Sequence, residues 1–178
     1  MWNQEEFIKT CDENVKIISQ AYKELKPVKL KPFKNFEYWE EKWWADFEPY
    51  MLIREKDIKA KRKGFTKFRF SPENINEIPI LKELSTYFFS KIFSEFKITL
   101  WASLEDIDYG TDWHQDFDTY LICMNLIGKT NWYFKGYDDI HMSPGDVLCQ
   151  NGNVIHNVEP IEKRITIAGH SLIKNIDI

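Results

Sequence analysis

The sequence predicts a mainly β fold, a barrel or sandwich braced by helices, and three observations predict it. Apolar residues recur at helical spacing through the first half of the chain. Short apolar strands separated by turn residues fill the second half. No linker, repeat or low-complexity tract separates the halves, so the 178 residues are expected to form one domain. Residues 1–96 would be its helical support and 97–174 its strand-rich core.

The elements follow in chain order. Phe7, Ile8, Cys11, Val15, Ile18, Tyr22 and Leu25 step by three and four, which predicts a helix over about residues 4–25. Pro27 and Pro32 break it. Trp39, Trp43, Phe47, Met51 and Ile58 suggest an apolar helical stripe, although Pro49 interrupts any single helix there. The basic cluster Lys59, Lys61, Arg62 and Lys63 reads as a solvated helix end stopped by Gly64, where cations suit the helix dipole. That reading outweighs a phosphate-binding role. Lys67 to Phe70 forms a short strand, and Ile78 to Phe96 another helix, with Leu81, Leu84, Tyr87, Phe88, Ile92 and Phe93 on its apolar positions.

Near residue 96 the pattern changes to strands and turns. KITLWASL alternates and is bounded by the polar EDIDYGTD. TYLICMNLI is a longer apolar strand, and NWYF follows a turn at Gly128. SPGD centres a turn on Pro144 and Gly145. DVLCQ, VIHNV and RITIAGHSLI complete the set, with Asn151-Gly152 separating the first two in hairpin style.

Composition excludes several classes. No apolar run reaches the roughly 18–20 residues of a membrane span. The opening MWNQEEFIKT lacks the basic-then-apolar order of a signal peptide, so a cytoplasmic protein is expected. Cys11, Cys123 and Cys149 are odd in number and unpaired in spacing, which argues for free thiols. A net charge of −4 disfavours duplex nucleic acid as a partner. Trp39, Trp43 and Trp44 read as core or dimer surface. The oligomeric state does not follow from the sequence.

Chemistry is concentrated in the second half, which holds all four histidines: His114, His141, His156 and His170. His114-Gln115-Asp116 is an H-x-D triplet expected at the start of a strand, where residues two apart share a face. His156 follows forty residues after Asp116. Two imidazoles and a carboxylate suit octahedral iron(II) with open positions. Taken singly, His114 and Asp116 fit a surface turn and His156 a satisfied strand histidine; the ordered set favours a metal. Arg164 adds to it. It opens the apolar strand Arg164-Ile165-Thr166-Ile167-Ala168, where a charge is costly without an anionic partner. A guanidinium grips a carboxylate in bidentate fashion. A dicarboxylate cosubstrate could chelate the metal at one end and meet Arg164 at the other, with Thr166 adding a hydroxyl. The bland alternative for Arg164 is an edge-strand charge or a structural salt bridge. His141 and the pair Asp138-Asp139 read as solvated, whereas His170 either lines the site or finishes the sheet.

The set His114-x-Asp116, His156 and Arg164-x-Thr166 resembles the signature of the 2-oxoglutarate- and iron(II)-dependent oxygenases. The tail HNVEPIEKRITI is similar to prolyl-hydroxylase-like members, and TLWASL through HQD to GKTNWYF and SPGDVL looks like the JmjC and cupin-like branch. The similarity spans roughly residues 97–173. It implies a double-stranded β-helix, or jelly roll, with N-terminal helices. It also implies iron(II), 2-oxoglutarate and O2 as cofactor and cosubstrates, and hydroxylation of a C–H bond, or demethylation through it. No catalytic side chain beyond the metal ligands is implied. JmjC-type members hold the cosubstrate with a lysine after a G-x-K turn; here the turn reads Gly128-Lys129-Thr130, one position early. Arg164 is therefore favoured, with Lys129 and Thr130 as a lesser alternative and Tyr120, Asn125, Trp101 and His170 as candidate pocket wall. The resemblance points to a protein or peptide side chain, or a small metabolite, as substrate. Two other functions stay open: a cupin-like module that binds metal without turnover, and a zinc-dependent hydrolase or isomerase.

Overall fold

The computed structural model describes residues 3–24, 26–34, 58–62, 65–70, 75–103 and 110–178. Trp39, Trp43, Trp44, Phe47 and Met51, and most of the EDIDYGTD loop, lie outside the described residues.

Helix α1 spans Gln4–Glu24. Asn3 caps it, its Oδ1 accepting the Glu6 N–H at 3.1 Å, and Glu5 and Glu6 place negative charge on the first turn. Its buried face carries Phe7, Cys11, Asn14, Ile18 and Ala21. Asn14 donates to the Lys31 carbonyl and accepts the Lys31 N–H, both at 2.9 Å, so the chain after Pro27 is tied back to the helix. Strand β1 (Val28–Lys29) follows.

Strands β2 (Ile58–Arg62) and β3 (Phe65–Phe70) pair antiparallel. Lys59, Lys61 and Arg62 of the basic cluster thus lie in a strand rather than at a helix end, Lys63 lies outside the described residues, and Ile58 belongs to that strand rather than to a helical stripe. The expected helix from Ile78 to Phe96 is also shorter. Helix α2 covers Pro79–Tyr87 and gives way to a 3-10 turn at Phe89–Lys91. Successive residues of a straight helix point about 100° apart. The helix breaks at Phe88 (φ −125°), and Phe88 and Phe89 are both buried.

Eight strands then complete two antiparallel sheets: β4 (Lys97–Ser103), β5 (Thr111–His114), β6 (Thr119–Ile127), β7 (Thr130–Phe134), β8 (Ile140–Met142), β9 (Val147–Asn151), β10 (His156–Pro160) and β11 (Arg164–Leu172). One sheet runs β1-β9-β6-β11-β4-β3-β2 and the other β5-β10-β7-β8. This is a jelly roll, as expected. Asn151-Gly152 does not close a hairpin: β9 and β10 lie in different sheets, and the turn hands the chain from one to the other.

Two apolar clusters result. The larger joins α1 and α2 to the back of the seven-stranded sheet through Ile98, Leu100, Ile122, Met124, Leu126, Ile165 and Ile167. The smaller fills the lumen between the sheets with Leu121, Cys123, Leu148 and Ala168 facing Trp132, Phe134, Met142 and Val158. Strand β6 is therefore buried on both faces, which is why TYLICMNLI is mostly apolar, with Asn125 as its one buried polar side chain.

Candidate metal centre

Strands β5 and β10 pair so that His114 and His156 stand opposite each other. The register slips between His156 and Val158, where two steps on β10 span three on β5; such bulges re-aim side chains. The imidazole centroids lie 4.2 Å apart. His114 ends its strand rather than starting one, and Asp116 stands beyond it, in the loop leading to β6. The pleat therefore does not aim Asp116. The turn after β9 does: the Asp116 N–H donates to the Gly152 carbonyl at 2.8 Å, and Gly152 N–H to the Thr119 carbonyl at 2.7 Å. Asn153 braces the same loop, accepting from Gln115 Nε2 and, through Oδ1, from the Asp118 N–H.

One ligand atom from each of His114, Asp116 and His156 lies within 4.8 Å of the others. Asp116 Oδ2 is 3.4 Å from His156 Nε2 and 3.7 Å from His114 Nε2. The protons can be placed. His114 Nδ1 is 2.7 Å from the Asp112 carbonyl and His156 Nδ1 is 2.8 Å from the Val154 carbonyl. A carbonyl only accepts, so both Nδ1 atoms carry hydrogen, and a ring in its neutral form then presents its Nε2 lone pair. Three acceptors thus converge, the arrangement of a cation site whose imidazoles are oriented by backbone carbonyls. The donor set fits iron(II) or another divalent ion of the first transition row. His156 is buried, whereas His114 and Asp116 are about one-third exposed (35% and 39%), which leaves the centre open on one side.

Arg164 is buried, and its N–H donates to Ser103 Oγ at 3.3 Å. By strand alternation it shares the inward face of β11 with Thr166, Ala168 and His170. Burial pushes the Cys123 thiol pKa up; Asp116 raises it further and Arg164 lowers it, so this lumen cysteine feels both charges.

The remaining predicted residues divide by face. Thr166 pairs with Asn125 on one side and Trp101 on the other, and all three face the lumen. Thr166 Oγ1 donates to Asn125 Oδ1 at 3.0 Å, and Asn125 Nδ2 donates to Thr130 Oγ1 at 2.9 Å. Carbonyls of Gly128 and Met142, at 3.3 and 3.5 Å, mark that side of Asn125 as the NH2. His170 is 2.9 Å from Thr99 Oγ1 on the same inner face. Lys129 is exposed beside Glu162 at 3.5 Å, away from the lumen. Tyr120 is buried on the opposite face of β6, edge-on to Tyr22 and packed near Phe93, so it is not pocket wall. His141 and Asp138-Asp139 are exposed. Sequence reasoning passed over Gly152 and the carbonyls of Asp112 and Val154. The only signal was the N-G-N turn just before His156.

No family model and no curated protein matches this chain. Solved structures do. The non-heme alpha ketoglutarate dependent epimerase SnoN from nogalamycin biosynthesis superposes with a TM-score of 0.59 at 11% identity, covering 89% of this chain and 80% of that one. Ectoine synthase from P. lautus (TM-score 0.48, 11% identity, 69% and 74% covered) and KdgF from Halomonas sp. (0.45, 15%, 67% and 89%) are looser. At these identities the likeness is one of fold: the chain has a jelly roll carrying a candidate His-Asp-His metal site.

Proposed function

We propose that the chain is an iron(II)- and 2-oxoglutarate-dependent oxygenase acting on a C–H bond of a protein side chain or a small metabolite. One observation carries the reading. Three acceptor atoms from His114, Asp116 and His156 converge with both imidazole protons committed elsewhere, at the rim of a lumen whose wall holds a buried arginine. The fold it shares with a 2-oxoglutarate-dependent epimerase adds support.

Iron(II) bound with 2-oxoglutarate supplies oxygen activation and oxidation of the target carbon. The chain's residues position. Asp112 and Val154 hold the tautomers of His114 and His156. Arg164 would meet the distal carboxylate of the cosubstrate, where a low-dielectric wall would strengthen a charge-assisted pair. Thr166 spends its hydroxyl proton on Asn125 and so cannot donate to that carboxylate. Thr130 accepts from Asn125 and keeps its own proton to give, which makes it the better second donor.

The test is succinate formation from 2-oxoglutarate by the iron-loaded protein in oxygen. The reading expects succinate, its loss in His156→Ala, and at least a tenfold higher 2-oxoglutarate requirement in Arg164→Ala. No succinate across a broad panel of peptides and metabolites would sink it. Turnover with zinc and without oxygen would replace it with hydrolytic or isomerase chemistry.

A further inference from the structure

Among the described residues, two buried polar side chains of the lumen have no hydrogen-bond partner. Gln150 is fully buried and neither its Nε2 nor its Oε1 is bonded; Trp132, also buried, has a bare Nε1. Gln150 alternates with Leu148 along β9 onto the lumen face, beside Leu121 of β6. Trp132 enters from the opposite sheet, stacked on His156 with centroids 6.0 Å apart and rings 17° from parallel. Neither belongs to the set that would hold the metal or the dicarboxylate. A buried polar atom left unpaired forfeits its hydrogen bonds to water and destabilises the fold. Leucine or methionine at 150 and phenylalanine at 132 would carry no such cost.

We propose that Gln150 and Trp132 form a subsite for an amide group: a peptide bond, a carboxamide or the edge of a lactam. The oxygenase reading enters only in making that ligand the compound oxidised. Gln150 sets the chemistry, because its partner must accept from Nε2 and donate to Oε1. A carboxylate only accepts and an ammonium only donates, so either leaves one end of Gln150 facing its own polarity. An amide does both, and the second lone pair of its carbonyl can take the Trp132 N–H. The walls, Leu121, Leu148 and Phe134, are apolar and suit a neutral group.

Position agrees. Gln150 pairs with Leu121, and Leu121 with His170, so the three share a row across the sheet. Arg164 lies six residues from His170 along β11, roughly 20 Å of strand. The buried cation therefore does not stand in the row of Gln150. Gln150 is two residues before Gly152, whose carbonyl holds Asp116, so the amide subsite borders the metal centre.

The experiment follows the indole N–H of Trp132 and the side-chain amide of Gln150 by 15N NMR in metal-free protein, assigned with Trp132→Phe and Gln150→Leu. N-methylacetamide, acetate and methylammonium are titrated at matched ionic strength. The proposal expects N-methylacetamide alone to move both signals saturably, and Gln150→Leu to weaken the Trp132 response at least tenfold. Gln150→Met serves the same purpose if the leucine variant folds poorly. Three outcomes would overturn it: no saturable shift, as when ordered water satisfies both groups; equal shifts from acetate; or an unchanged Trp132 response without Gln150. The readout needs neither iron nor turnover. A protein that makes no succinate yet binds the amide loses the oxygenase reading alone, and the reverse result loses only the subsite.

Discussion

The carbonyl of Gly152 accepts the backbone N–H of Asp116 at 2.8 Å, and the two residues sit so close that a Cβ at 152 would lie 2.3 Å from the Asp116 carbonyl oxygen. The candidate ligand Asp116 is thus held by the turn after β9. Gly152→Ala must push that loop away. Residues that orient a ligand typically contribute 10- to 100-fold in metal affinity. We expect a loss of about that size in titrations with iron(II) or cobalt(II), with circular dichroism unchanged. Wild-type affinity in this variant would show that the turn does not position Asp116.

Metal binding should stabilise the fold through the same three residues. A ligand at 100 times its Kd adds about 2.7 kcal/mol to stability. Thermal unfolding of the wild type is expected to shift upward with saturating iron(II) under anaerobic conditions. Asp116→Ala and His156→Ala should each abolish the shift. A shift that survives both substitutions would place the bound ion elsewhere.

The candidate triad and most of the lumen strands were legible in the sequence, for different reasons. Strand β6 announces itself because burial on both faces leaves Asn125 as its one buried polar interruption. His114, Asp116, His156 and Arg164 announce themselves by chain order and by residue types that are costly to bury unpaired. What stayed hidden depends on contacts distant in sequence. Lys59 to Arg62 looks like a charged helix end until β3, itself held by β4, offers it a partner. Asn151-Gly152 has hairpin chemistry, and nothing local says that the next strand joins the other sheet. Gln150 and Trp132 are ordinary strand residues until their neighbours show that neither has a hydrogen-bond partner.

Burial raises the thiol pKa of all three cysteines, that of Cys11 to about 12 and that of Cys149 to about 11. A raised thiol pKa keeps the unreactive neutral form at pH 8. A thiol-specific reagent at pH 8 should therefore leave the native protein unmodified over minutes and label all three sites once urea unfolds it. Rapid labelling of native protein would contradict the packing around them.

Gly169 gives up a side chain to seat Phe89: a Cβ there would lie 2.4 Å from the ring. Gly169→Ala overpacks this contact and should cost about 1–3 kcal/mol. Denaturant midpoints would record it. Combining it with Phe89→Leu should recover part of the loss, and a purely additive double mutant would argue against the contact.

Strand β6 presents Leu121 and Cys123 to the lumen and Ile122 and Met124 to the helices, so neighbouring residues answer to two different interiors. The half of the chain without a recognisable signature is thus the other side of the wall that the signature stands on. A fragment trimmed to residues 97–178 would keep every candidate ligand and lay bare the apolar back of its own sheet. The unit that can be inherited, transplanted or expressed is set by that shared wall rather than by the span of the motifs.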